Sequence, residues 1–127
     1  MNLAEYFEKA KGLGVMATAD NKGKVDMAVY SRPHVMEDNT LAFIMADRLT
    51  HLNLQSNPQA AFLFKEDGPG YQGKRLILTK IREEENSELL DSLRRRAYLT
   101  EREGAGESKF IVFFKVEQEL PLIGSGN

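Results

Sequence analysis

Between Val15 and Ala46, three apolar, strand-like runs follow one another with only short turn signals between them. That succession constrains the fold more than any other feature. Runs joined by tight turns pair antiparallel, because a parallel neighbour needs a crossover of about a dozen residues or more. The first run, "VMATA" at 15–19, reads as a buried strand, and "DNKGK" at 20–24 has the Asp, Asn and Gly content of a hairpin turn. "VDMAVYSRPHVM" at 25–36 reads as one long strand, alternating at Val25, Met27, Val29 and Ser31. Pro33 within it implies an edge or a bulge. "EDN" at 37–39 then turns the chain into the strand "TLAFIMA" at 40–46.

The flanking segments continue the pattern. Asn2, with Glu5 three residues later, forms a capping box for a short helix through about Ala10, which Gly12 and Gly14 stop. Thr50 caps a helix over 51–56, limited by Pro58. "AAFLFKE" at 60–66 is a fourth strand, and the glycine-rich loop 67–74 leads to a fifth, "RLILTKIREEE" at 75–85. Leu76, Leu78 and Lys80 share one side of it. Asn86 or Ser87 starts the helix "SELLDSLRRRAYL", whose apolar stripe is Leu89, Leu90, Leu93 and Ala97. "KFIVFFKVE" at 109–117 closes the series, with Phe110, Val112 and Phe114 facing one way. About six short strands interrupted by two helices favour a mainly β, antiparallel barrel over an alternating α/β sheet.

Composition narrows the function classes. The 127 residues fit one domain over 1–127, with a net charge of −2 and both signs spread along the chain. Nucleic-acid binding needs a basic excess that this sequence lacks. There is no cysteine, which excludes disulfides, thiolate metal sites and a cysteine nucleophile. The longest apolar run, "FIVFF", is too short to span a bilayer, and the first residues have no apolar stretch of signal-peptide length. The expectation is a cytoplasmic protein that binds neither nucleic acid nor membrane.

Three stretches can carry chemistry. Arg48, Thr50, His51 and Asn53 follow a strand and open a helix, where backbone N–H groups and the helix dipole attract an anion. Arg48 adds a bidentate donor and Thr50 a hydroxyl. The plainer reading makes Thr50 only a cap and Arg48 a solvated cation, and residue types alone favour it. In "AVYSRPH", residues 28–34, polar side chains in a half-buried strand either line a cleft or lie on the solvent face. In "GPGYQGKR", residues 68–75, Tyr71 can stack on a flat ring, although the stretch in isolation favours a simple flexible hairpin loop. The loop lacks phosphate-loop spacing, and no Ser or Thr follows its lysine. The run Arg94–Arg96 is simplest as cations at the favourable end of a helix dipole. "REEEN" at 82–86 is simplest as a solvated strand end and the acidic first turn of the next helix. His34 and His51 have no local metal-ligand spacing.

Taken in order, these segments resemble the pyridoxamine 5′-phosphate oxidase-like FMN-binding split-barrel family, over about residues 5–117. The resemblance rests on "GVMATAD", "GKVDMAVYSRPHVMEDNTLAFIMA", "RLTHLNLQSNPQAAFLF" and "KFIVFFKVE". Its most specific part is the order strand, Thr-x-x-Asn-Leu helix, Asn-Pro, strand, the element that binds the FMN phosphate in that family. The resemblance implies a six-stranded antiparallel split β-barrel that forms a homodimer with flavin at the subunit interface. Carried over, Ala28, Val29, Tyr30 and Ser31 would run along the flavin ring, and Met45 and Ala46 would lie under the ribityl chain. Arg48, Leu49, Thr50, His51 and Asn53 would surround the phosphate, and Tyr71 would help shape the ring pocket. Many relatives place a lysine near position 51, where this chain has His51; Arg48 can supply that charge instead. The chain is shorter than true pyridoxamine phosphate oxidases, and their substrate-phosphate residues have no counterpart here. The implied function is an FMN-dependent oxidoreductase or electron-transfer protein acting with a small molecule or an electron-transfer partner. The alternatives are a haem- or deazaflavin-binding split barrel, a non-catalytic interaction module on the same fold, or an unrelated small barrel with purely structural clefts.

Overall fold

The computed structural model describes residues 2–96 and 108–124. Its elements, in order, are α1 (Leu3–Lys9), β1 (Gly12–Ala19), β2 (Val25–Val29), β3 (His34–Val35), β4 (Leu41–Ala46), α2 (Leu49–Ser56), β5 (Gln59–Glu66), β6 (Gly73–Glu85), α3 (Glu88–Arg96) and β7 (Ser108–Pro121). The strands form one antiparallel sheet in the order β2-β1-β5-β6-β7-β4-β3. Among the described residues, no helix is long and apolar enough to cross a membrane.

Both expected hairpins are present, with Ala17 facing Met27 and Val35 facing Leu41. The strand count is seven rather than six, because the run 25–36 is two strands. β2 and β3 lie at opposite edges of the sheet, and Tyr30–Pro33 carry the chain from one to the other. Pro33 is buried and has no N–H to offer a ladder. Arg32 donates to two carbonyls of the α1 end, Phe7 at 3.1 Å and Ala10 at 2.6 Å. The two edges of the curled sheet are therefore joined by the backbone itself, not by a row of hydrogen bonds.

The glycines expected to stop α1 belong to β1, which starts at Gly12 rather than Val15. A Cβ on Gly14 would lie 2.4 Å from the Tyr30 carbonyl oxygen and 2.6 Å from the Phe62 ring, so close packing requires glycine there. α1 ends instead at extended Ala10, under the Arg32 guanidinium. β7 continues past residue 117 to Pro121, taking in part of the expected tail.

Alternation along the strands fills the interior. Met16, Phe43, Phe62, Phe64, Leu76, Leu78, Val112 and Phe114 are buried together, and Phe7 of α1 covers one end. The rings of Phe43 meet Phe62 at 4.9 Å and Phe114 at 5.6 Å, edge to face. A second cluster lies outside the sheet, where Leu90 and Leu93 of α3 pack on Ala42, Ile111 and Phe113. Ser87 caps α3, its hydroxyl accepting the Leu90 N–H at 3.1 Å. Leu89, Leu90 and Leu93 form the expected stripe; Ala97 and the side chains of Arg94–Arg96 fall outside the described residues.

Candidate functional site

α2 follows a β-bulge at Met45/Ala46 and packs against β1 and β2. It begins at Leu49, two residues earlier than expected. Thr50 is therefore its second residue rather than its cap. The N-cap is Arg48, which makes no side-chain cap hydrogen bond, and the first turn holds no acidic residue. Side chains that cap helices have an oxygen to accept the early N–H groups, and arginine has none. The opening of α2 thus combines backbone donors, the positive end of the dipole and an exposed guanidinium.

Thr50 is buried and shares a hydrogen bond with the Tyr30 hydroxyl. Burial pushes the Tyr30 phenol up, and Thr50 and Arg48 pull partly against it. The Tyr30 ring points inward, edge-on to Phe43 at 6.3 Å. The end of β2 and the start of α2 therefore form one corner, made of Tyr30, Arg48 and Thr50, with exposed Ser31 beside Tyr30. Ala28 faces inward opposite Met16, whereas Val29 is 70% exposed. Leu49, on the outer side of α2, is half exposed.

Other expected site residues are used inside the chain. Met45 is buried in the core, and Ala46 ends β4 half-buried. Asn53 is buried and donates to the Thr18 hydroxyl at 3.1 Å, which ties α2 to β1. His51 turns under the helix and stacks on Phe110, ring centres 3.7 Å apart and 12° from parallel. Its Nε2 is 2.8 Å from the Glu83 carboxylate and 3.0 Å from the Gln55 amide, and its Nδ1 is 3.3 Å from Asp47. Tyr71 stands apart on the β5–β6 turn, 71% exposed, with β1 between that hairpin and β2.

Two partners of His51, Glu83 on β6 and Phe110 on β7, were not foreseen. Glu83 belongs to a run expected to be solvated, yet it accepts from Lys80 at 2.6 Å and from Gln55 at 2.9 Å. Burial pushes its carboxyl up, but the hydrogen bonds from Lys80, His51 and Gln55 prevail and bring it down to about 2. The register shift between Lys80 and Arg82 breaks the in-and-out alternation that placed Glu83 outside. No local signal in the sequence marks that shift.

The outer surface of the β2 edge is apolar. Val25, Met27 and Val29 are each at least 70% exposed, and Val15 and Ala17 lie opposite Val29 and Met27 on β1. Leu13 and Leu63 extend this surface across β1 and β5, and exposed Leu49 and Leu52 add apolar area on α2. Among the described residues, no group of three or more His, Asp or Glu is placed to hold a metal ion.

Comparison with solved structures places this architecture. An FMN-binding protein from Syntrophomonas wolfei subsp. wolfei superposes with a TM-score of 0.79 at 18% identity, over 96% of this chain and 84% of that one. The haem storage protein HutZ of Vibrio cholerae gives 0.69 at 15% identity, over the whole of both chains. An F420 reductase gives 0.70 at 15% identity, over 94% of this chain and 97% of that one. No protein-family model and no curated protein sequence matches the chain. At these identities the likeness concerns the fold: the chain has the split-barrel fold of pyridoxamine 5′-phosphate oxidase-like FMN-binding proteins.

Proposed function

We propose that this split barrel binds FMN and acts as a homodimeric flavoprotein, either an oxidoreductase or an electron-transfer protein. The observation that carries the reading is the opening of α2. A helix of eight residues begins with arginine at the N-cap, no side-chain cap and no first-turn carboxylate. That arrangement suits a terminal phosphate, which accepts from the backbone N–H groups of the first turn and from Arg48, with Thr50 holding the turn to Tyr30. Next to it, Tyr30, Ser31 and the exposed side of β2 offer a surface for a flat ring. FMN, when bound, supplies the hydride or electron transfer, and the chain supplies placement and electrostatics. No general acid or base is required of the residues at the corner.

The apolar strip Val25, Met27 and Val29 would be covered by a second copy, which would also close the shallow corner over the ring. In this reading Leu49 and Leu52 border the same contact. His51 and Asn53 support the phosphate turn from beneath, and Tyr71 belongs to a different part of the surface.

A second reading, haem, has one observation in its favour. His34 lines an open cavity of about 570 Å3 with Met36, Leu93 and Phe113, on the α3 side of the sheet. The two readings separate in one measurement, the absorption spectrum of the purified protein with and without added ligand. A flavin band, or uptake of added FMN by a dimer, is the expected result. A Soret band favours haem, and absence of both flavin and FMN uptake overturns the proposal.

A further inference from the structure

We infer that His51 is a positioning residue for the anion-binding turn: it anchors the turn to β6 and β7 and draws the Asp47 carboxylate away from the phosphate site. This rests on the FMN reading above.

The geometry shows a clamp with two sides. On the α2 side, Thr50 is held by Tyr30 of β2. Beneath the helix, the His51 ring lies flat on Phe110 of β7 and meets Glu83 of β6 at 2.8 Å. Glu83 is fixed in turn by Lys80 at 2.6 Å and Gln55 at 2.9 Å. The first turn of α2 is therefore gripped from the β2 edge on one side and from the central strands β6 and β7 on the other, before any ligand arrives. Donors fixed in their bound arrangement lose less entropy when the anion binds.

Asp47 gives the second half of the inference. It directly precedes Arg48, and its side chain is 63% exposed. A carboxylate there opposes a phosphate and competes for the Arg48 guanidinium. The Nδ1 of His51 sits 3.3 Å from the Asp47 carboxylate and gives it another partner. His51 thus acts on the ligand through Asp47 and the turn, without touching the phosphate.

The test compares FMN with riboflavin, which has the same ring and no phosphate, on the full-length protein. The wild type is expected to prefer FMN. His51→Gln should reduce that preference about tenfold, through weaker FMN binding with riboflavin affinity unchanged. Adding Asp47→Asn to His51→Gln should restore about threefold or more, because the opposing charge is gone. Tyr6→Phe, which breaks the bond to Glu66 at the other end of the barrel, should lower stability and leave the preference intact. Should His51→Gln fail to fold, Glu83→Gln supplies the same comparison. The inference is overturned if the substituted protein keeps the wild-type preference, if it loses FMN and riboflavin equally, or if Asp47→Asn restores nothing. A wild type that binds FMN no better than riboflavin removes the phosphate cradle itself, and that failure is visible before any substitution is made.

Discussion

α1 and α2 are helices of nearly equal length, seven and eight residues, and their openings differ in capping and in first-turn charge. α1 begins with Asn2, whose side chain accepts the Glu5 N–H at 2.9 Å, while Glu5 reaches back to the Asn2 amide at 3.3 Å. Its other end is covered by Arg32. α2 begins with Arg48 and no side-chain acceptor, yet its body is bound to the sheet through Asn53, His51 and Gln55. A helix meant only to cover a barrel end is capped at both ends. A helix that is anchored along its length but uncapped at its start has donors to offer. In the FMN reading proposed above, stability and binding would fall to different helices.

The largest expected effect comes from giving α2 the cap it lacks. In Arg48→Asp, the new carboxylate accepts the early N–H groups and should stabilise the apoprotein by about 1 kcal/mol. The same change should weaken FMN binding about a hundredfold, since a bidentate cation becomes an anion. Thermal melts and FMN titration should therefore move in opposite directions; if both fall together, the contrast between the helices is broken. A smaller effect is expected at α1. Asn2→Ala should reduce stability by about 1 kcal/mol, read from denaturant unfolding, with FMN affinity unchanged. A loss of FMN affinity there would show that α1 also serves the ligand.

The smallest effect concerns pH. The Glu83 carboxyl is lowered from its ordinary 4.5 to about 2 in the folded chain. A group depressed by folding stabilises the native state above its unfolded value, and that contribution is lost as pH falls through the folded value. The tie between α2 and β6 should therefore act in full above about 4.5 and weaken as the pH drops toward 2. In Glu83→Gln, stability should fall less steeply with acid across that window, measured as urea midpoints. An unchanged slope would mean that the tie adds nothing to the anchoring of α2.

The reach of the sequence can be judged from particular residues. The two hairpins were legible because the turn chemistry at 20–24 and 37–39 is local, down to Asn39 with its positive φ of 68°. The break in 25–36 was only half legible: Pro33 marked it, but nothing nearby says that the next residues cross to the opposite edge of the sheet. The strand, helix and Asn-Pro order around Arg48 was legible by resemblance. The inward turn of His51 was not, because its partners Glu83 and Phe110 lie far along the chain. The position of Glu83 depends on a bulge whose cause is tertiary.

The crossing at Tyr30–Pro33 also affects the order in which the sheet can be assembled. β3 and β4 pair with each other locally, but β4 reaches the rest of the sheet through β7, with Leu41 opposite Phe114. While a nascent chain is being made, that hairpin has no other strand of the sheet to pair with until residues 108–121 emerge. The whole ring then closes late, through a contact of long sequence separation, which is the slow kind. The same late strand brings Phe110 under His51, so one part of the footing beneath the turn at Arg48 comes from the last strand of the chain.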